Sequence, residues 1–577
     1  MSSDSSVLHS HASGHDAHSS HHHLSPWQRL RKLMQVERES LWVVVVYALA
    51  VGVLSLGVPL GVQALVGTIA FGGLRQPLLV LSLLVLGAIG LANVLRALQW
   101  AVVEKIQQRV FARSAFEVAC RLPHRSAEDA RKVAPAELVN RFFDVVTVQK
   151  GAATLLVDGI FVVLQALVGS VLLAFYHPFL LAYVMVLMVV VAVVLFPMGR
   201  HGEVTAIEES KAKYAVVAWF QEISRHPTSF RSKENEAFAA KRAEELTLDY
   251  IEKRRKHFRI VFRQGAAFLG VQALATAALL GVGGLLVLQG QITLGQLIAA
   301  ELIVTAVTGA FAKFGKYLES YYDLLASIDK VGHLTDVDLE RSSGSNLPHP
   351  ADASHPILRA DQVRLSGDRG EILKGVSFEV WPGDAISIVG SNGSGKSALS
   401  DVLWGLRKPS GGKVEVCGIG LDALNLQVVR ERIALVRQDE LFDGTIEENI
   451  RVGREAIELA DLRKALEVVD LWTEISLLPG GIASNAITTA LSPGQKNRLL
   501  LARAIAGKPS LLLVDGALDG IDASSRRAIA NGICSGAGPW AVVFVTHDPS
   551  LSDLAAKRYH LVDGVLIPDP TQQEARS

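Results

Sequence analysis

Cysteine is nearly missing from this chain. Three residues, Cys120, Cys417 and Cys534, are spread over 577 positions with no metal-ligand spacing. An odd, unclustered set fits reduced thiols in a cytosolic setting better than a disulfide framework. A surplus of charge is missing too, because 57 acidic side chains face 57 basic ones. The basic excess that bulk nucleic-acid binding requires is therefore not there, and no nucleic-acid partner is expected. No Phe, Tyr or Trp lies between Pro350 and Gly375. One carboxylate is also lacking. The apolar run "LLLVD" ends at Asp515 and is followed by Gly516, which has no side chain to position a water.

What the chain has in abundance is apolar sequence, concentrated in its first half. Six stretches are long and apolar enough to cross a bilayer: Leu41–Val66, Leu78–Trp100, Ala152–Phe175, Phe179–Met198, Ala266–Leu288 and Leu294–Phe311. The third and fourth are separated only by Tyr176, His177 and Pro178. Six such runs exceed what one soluble core holds, so this half is read as a membrane α-helical bundle in contact with lipid. Arg29, Arg31, Lys32 and Arg38 precede the first span, which places the N-terminus in the cytoplasm. The long basic stretches 101–151 and 199–265 then lie inside and the short links outside. The first span is read as retained, not as a cleaved signal.

The opening "MSSDSSVLHSHASGHDAHSSHHH" has the composition of a solvated, disordered Ser/His tail, with loose Zn, Ni or Cu binding as the alternative. Arg96, Asp158 and Glu301 interrupt apolar runs. Ionised groups there are costly unless paired or wetted. They either line a translocation cavity, or form an internal helix–helix pair, or lie nearer the membrane surface than these spans imply.

Beyond "VGHLTDVDLERSSGSNLPHPADASHP" (331–356), read as a linker, the pattern changes. Short β-branched runs ("AISIVG", "LLLVD", "AVVFVTH") alternate with helical ones ("ALSDVLWGL", "SSRRAIANGI"), which indicates a parallel α/β sheet. The expected organisation is a tail over 1–25, six membrane helices over 26–330, the linker, and an α/β P-loop domain over 357–570.

The first of those strands runs into "GSNGSGKS" (390–397), a full match to the phosphate-loop pattern. Gly390, Gly393 and Gly395 let the backbone curl, so that N–H groups of the loop, through Ser391, Asn392 and Ser394, face phosphate oxygens. Lys396 reaches the β and γ phosphates and Ser397 offers its hydroxyl to Mg²⁺, with the helix N-terminus adding its dipole. Asp515 supplies a second Mg²⁺ contact; alone, an aspartate at a strand end would read as a helix cap or a turn.

The order of these motifs resembles an ATP-binding-cassette exporter half-transporter, over almost everything except the tail. "ALVRQDELFDGTIEENI" (434–450) looks like the family's glutamine loop, with Gln438 near Mg²⁺ and the membrane-domain contact. "LSPGQ" (491–495) resembles the signature loop LSGGQ, making Ser492, Gly494 and Gln495 nucleotide contacts. Asp522 falls at the D-loop aspartate, and His547 matches the switch histidine that contacts the γ-phosphate. The resemblance implies ATP and Mg²⁺ as cofactors. It also implies two cassettes packed head to tail, each ATP lying between one phosphate loop and the other domain's signature. "LPHRSAEDARKV" (122–133) and "QEISRHPTSFRSKENE" (221–236) are similar to the coupling-helix regions.

The departures are as informative. Gly516 stands where the family has its catalytic glutamate, and Asp519 is read as already part of the D-loop turn. The adenine-stacking ring is missing, "SNAITTA" (484–490) lacks an acidic residue, and Pro493 replaces a signature glycine and removes a donor. General-base catalysis contributes about 10²–10⁴-fold in rate, so this chain's own site is expected to hold ATP and hydrolyse it slowly. Ser492 would serve a partner's site. A second, different half-transporter with an intact glutamate is favoured over a homodimer. The alternatives are a homodimeric, ATP-gated slow pump and a non-transporting regulatory subunit. Residues 295–334 resemble the matching part of bacterial type I secretion transporters, which implies export of a protein or peptide with a periplasmic adaptor. Lipid or amphipathic small molecules are the alternative cargo. The implied location is a bacterial inner membrane, with the P-loop domain in the cytoplasm.

Overall fold

A computed structural model describes residues 25–569 apart from 71–74, 133–134, 310, 348–354, 368–369, 439–440, 536–537 and 539. The Ser/His tail lies outside the described residues. The chain divides into two compact units, one ending at Asp338 and the other starting at Leu339.

The first unit is helical. Among the described residues, six helical stretches are long and apolar enough to cross a membrane: Arg38–Ile69, Leu78–His124, Leu138–Tyr176, Pro178–Leu195, Lys233–Leu288 and Leu294–Leu334. Each coincides with an anticipated span, but most run far into polar sequence. Lys233–Leu288 has 56 residues, about 84 Å at 1.5 Å per residue, against a hydrocarbon core of about 30 Å. Much of what reads as loop in 101–151 and 199–265 is therefore helix. The extension is rich in the helix formers Glu, Lys, Arg, Ala and Leu, and Ser232 caps its start by accepting from the Asn235 N–H.

Proline sets the breaks. Pro59 has no N–H to return to the Ser55 carbonyl, and the first span divides there into Arg38–Ser55 and Gly57–Ala70. The fourth span ends at Leu195, not Met198, because Pro197 stops it. It begins at Pro178, in the first helical turn, and His177 caps it by accepting from the Phe179 N–H at 3.2 Å.

The third span contains a π-helical turn, Leu155–Gly159. This turn carries Asp158, and Arg96 donates to its Oδ1 at 3.3 Å while lying 5.0 Å from the Phe161 ring centroid. Arg96 and Asp158 are thus an interhelical pair. Glu301 differs. The Thr305 hydroxyl donates to its Oε1 at 3.3 Å, and its Oε2 is buried without a partner among the described residues.

The stretch 122–133 forms a 3-10 turn, Leu122–His124, and a short helix, Ala127–Lys132, where Arg125 pairs with Asp129. The stretch 221–236 is the end of helix Gly202–Arg225, a 3-10 turn at Pro227–Phe230 and the start of the fifth spanning helix. A helix over Phe311–Thr335 takes up the first residues of the 331–356 stretch.

The second unit has two sheets. The strands are β1 (Leu358–Gly367), β2 (Gly370–Val380), β3 (Ala385–Val389), β4 (Gly411–Val416), β5 (Ile419–Gly420), β6 (Ile433–Val436), β7 (Leu511–Asp515), β8 (Ala541–Thr546), β9 (Lys557–Val562) and β10 (Val565–Pro568). The larger sheet has the order β10-β9-β3-β8-β7-β6 and is parallel except for the β9–β10 hairpin. Its central strands are buried along nearly their whole length, which is why they read as continuous apolar runs. The smaller sheet, β2-β1-β4-β5, is antiparallel. Its strands alternate, with Leu358, Ala360, Val363 and Leu365 of β1 turned into the core. The parallel order brings the C-terminal ends of β3, β7 and β8 side by side, so Val389 pairs with Thr546 and Asp515 with Val545. The site is built there.

Candidate functional site

Three consecutive strand ends supply the parts. After β3 the chain curls through the phosphate loop into the helix Lys396–Leu403. Gly393 and Gly395 take φ of +85° and +102°, the left-handed region that glycine alone enters without strain. Gly390 is required by space: a Cβ there would lie 2.5 Å from the Leu561 carbonyl oxygen and 2.6 Å from Ser394 Oγ. Ser394 is buried, and no partner for its hydroxyl is found among the described residues.

Lys396 folds back over the loop, its Nζ donating to the Gly390 and Ser391 carbonyls at 2.6 and 2.8 Å. Burial pushes its ammonium below the usual lysine range, opposed by the carboxylates of Asp519 and Asp515. Ser397 Oγ donates to Asp515 Oδ1 at 3.4 Å. Gln438 turns its amide nitrogen toward the Gly516 carbonyl at 3.4 Å. Hydroxyl, carboxylate and amide oxygen are hard donors, so Ser397, Asp515 and Gln438 suit Mg²⁺ in kind.

These groups surround a cavity of about 570 Å³. Of the residues anticipated from sequence, Asn392, Gly393, Gly395, Lys396, Ser397, Gln438, Asp515, Gly516 and His547 line it. Gly390, Ser391 and Ser394 form the loop behind them. Among the described residues, no Phe, Tyr or Trp lines this cavity.

Two charged lining residues were not anticipated as part of the site. Arg437 precedes Gln438, and its guanidinium makes three contacts. Nε donates to Asp515 Oδ2 at 2.9 Å, Nη1 to Asp401 Oδ1 at 2.7 Å and Nη2 to the Ser397 carbonyl at 3.0 Å. Asp519 lies in the turn 517–520, as read from sequence, and from there also faces the cavity. Its Oδ2 meets His547 Nδ1 at 2.8 Å and its Oδ1 accepts from the Thr546 hydroxyl at 2.6 Å. Each of its oxygens therefore already holds a partner, and the contact fixes the His547 ring. The signal for both lay only in three dimensions, since neither residue has a fixed spacing to its partners.

Gly516 has φ of +69°. A Cβ there would have one near neighbour, Asp519 Oδ2 at 3.5 Å. Space for a side chain exists, but the backbone is held in the region that L-residues avoid.

Ser492, Gly494, Gln495 and Asp522 do not line this cavity. Ser492 is the N-cap of the 14-residue helix Pro493–Ala506 in a reciprocal capping box with Gln495. Pro493 sits in its first turn, where the N–H has no intrahelical acceptor anyway. The substitution thus keeps the helix start and removes a single donor. Asp522 caps the helix Ala523–Cys534, and hydrogen bonds from Ser524 and Ser525 hold its carboxyl well below the usual range.

With this geometry in place, the family assignment is direct. Residues 41–311 match the family described as "ABC transporter transmembrane region" and residues 373–519 the one described as "ABC transporter". The chain belongs to the ABC transporters. It is a multi-pass membrane protein with an ATP-binding domain. The fold is that of a bacterial Atm1-family ABC exporter solved with ATP bound, at a TM-score of 0.81 and 20% identity over 94% of this chain and 97% of that one. Among curated relatives, the mycobactin import ATP-binding/permease protein IrtB of Mycolicibacterium thermoresistibile is 28% identical over 47% of each chain. The alpha-hemolysin translocation ATP-binding protein HlyB of Escherichia coli O157:H7 is 26% identical over 51% of this chain and 42% of its own. The ATP-dependent lipid A-core flippase of Chromobacterium violaceum is 31% identical over 44% of each. The matched region of this ABC transporter spans about half the length of these relatives.

Proposed function

We propose that this ABC transporter is one half of an exporter whose own phosphate-loop site holds ATP and hydrolyses it slowly, with turnover at a second site completed by a different partner chain. The observation that carries the reading is Gly516 after Asp515. The strand end that carries the Mg²⁺-facing carboxylate has no glutamate beside it, and Asp519 has each oxygen bonded to Thr546 or His547. Lys396, Ser397, Gln438, Asp515 and His547 supply phosphate and Mg²⁺ contacts. Ser492, Gly494 and Gln495, at the start of a capped helix outside this cavity, serve the partner's ATP, with Asp522 on the D-loop.

The cargo reading rests on less. A second cavity of about 760 Å³ in the membrane unit is walled mainly by apolar side chains such as Ile160, Val163, Phe196 and Phe314, with Glu203 and His201 among them. Such a lining suits a peptide, protein segment or amphipathic molecule. HlyB is named for hemolysin translocation, which favours protein or peptide export through a bacterial inner membrane, with a periplasmic adaptor.

The test is reconstitution. Paired with a half-transporter carrying Asp-Glu at the corresponding strand end, the complex should hydrolyse ATP, and removing the partner's glutamate should abolish turnover. Turnover that persists without the partner's glutamate would place hydrolysis at this chain's site and sink the proposal.

A further inference from the structure

The helix Pro26–Val36, ahead of the first span, has no part in the account above. Arg29 ties it to Asp336, just past the helix Phe311–Thr335. A groove of about 360 Å³ lies between it, the helix Arg75–Arg121, the third span and the helix Phe311–Thr335. Apolar side chains such as Leu33, Val110, Val148 and Ile328 line the groove together with a set of charges.

The carboxylates in that set are already answered. Asp336 is held by Arg29, Glu117 by Arg121 at 3.0 Å and Glu37 by Arg109 at 2.8 Å. Lys32 and Arg113 remain, both exposed, and no partner for either is found among the described residues. Two such cations on one groove favour a phosphate group.

The groove continues into an apolar slot. A second cavity, of about 160 Å³, shares Leu33, Val110 and Val148 with it and adds Leu41, Val103 and Ile106. Among the described residues its one ionisable lining group is Glu37, which Arg109 holds. Two segments place charge and slot in the same order. Leu41 opens the first apolar run and Lys32 precedes it, while Val103 and Ile106 follow the second apolar run and Arg113 lies beyond them. The slot is thus on the hydrocarbon side and the free cations on the water side of one boundary, the polarity of an amphiphile with an anionic head.

We propose that this groove binds one anionic phospholipid of the surrounding membrane, its phosphate at Lys32 and Arg113 and the start of an acyl chain in the slot. Bound there, the lipid bridges the Pro26–Val36 helix to the second span.

The test is lipid binding to the full chain in detergent micelles, counted by native mass spectrometry, with dioleoyl phosphatidylglycerol and dioleoyl phosphatidylcholine as probes. The first phosphatidylglycerol is expected to bind about tenfold or more tightly than the first phosphatidylcholine. In Lys32→Gln/Arg113→Gln that preference should fall to about threefold or less. Arg31→Gln/Arg38→Gln removes two nearby cations that line neither cavity, and should keep it. Lys32→Arg/Arg113→Lys retains both charges and should keep it too, which separates loss of charge from a folding defect. Equal binding of the two lipids would overturn the proposal. So would an unchanged preference in the Lys32/Arg113 Gln pair, or an equal loss in either of the other two pairs. Displacement of phosphatidylglycerol by millimolar glycerol phosphate would overturn it as well, because the site would then take a free anion and make no use of the slot.

Discussion

Gly516 joins two facts in one residue, a missing carboxylate and a left-handed backbone. Gly516→Glu is predicted to raise ATP turnover, because Gln438, Asp515 and His547 line the same cavity as Gly516. It should also destabilise the nucleotide-binding unit by about 1–2 kcal/mol, since a side chain at φ +69° meets the left-handed penalty. Turnover by phosphate release and thermal unfolding of the same preparation check both parts, and a stable variant with no gain in turnover would show that the site lacks more than the carboxylate. Lys396→Ala is predicted to abolish nucleotide labelling at this site, measured by crosslinking of a photoreactive ATP analogue. The phosphate loop was legible in the sequence because its chemistry is local, eight residues between a strand and a helix. Arg437 was not, because its meaning comes from Asp401 and Asp515, 36 and 78 positions away. Asp519 was read correctly as part of a turn, but its contacts were not legible, because the turn brings it onto Thr546 and His547, 27 and 28 positions away.

Among the elements, the helix Pro493–Ala506 is the best test of a division of labour between sites. Ser492→Ala removes a cap, which costs about 1 kcal/mol, and under the proposed pairing it would also remove the hydroxyl offered to the partner's nucleotide. Turnover of the assembled pair should therefore fall, while ATP binding to this chain's own phosphate loop is retained. Loss of own-site binding would mean that the signature helix supports the phosphate loop directly. In the membrane unit, Arg96 and Asp158 form one interhelical unit across the second and third spans. Replacing either alone leaves a charge unpartnered in apolar surroundings, so the double replacement should destabilise less than the sum of the single ones. A double-mutant cycle on thermal stability in nanodiscs checks this, and strict additivity would contradict it. The apolar spans were readable from hydropathy. Their polar extensions were not, because a helix continuing beyond the apolar run carries no hydropathy signal to mark it. The antiparallel sheet β2-β1-β4-β5 escaped notice because its half-buried strands alternate where the parallel strands run continuously apolar.

For the whole molecule, the proposed function would divide one ATPase cycle between two chains. This chain would bring six membrane helices, a phosphate loop that holds ATP, and a signature loop that a partner needs; the partner would bring the glutamate. The measurement closest to that claim is the ATPase activity of the purified chain alone in lipid nanodiscs, beside Ser492→Ala. Turnover near background is predicted in both preparations, because two copies of this chain would each present Gly516 where the carboxylate belongs. Clear turnover in the wild type that Ser492→Ala removes would mean that two copies build a working site, and would contradict the account.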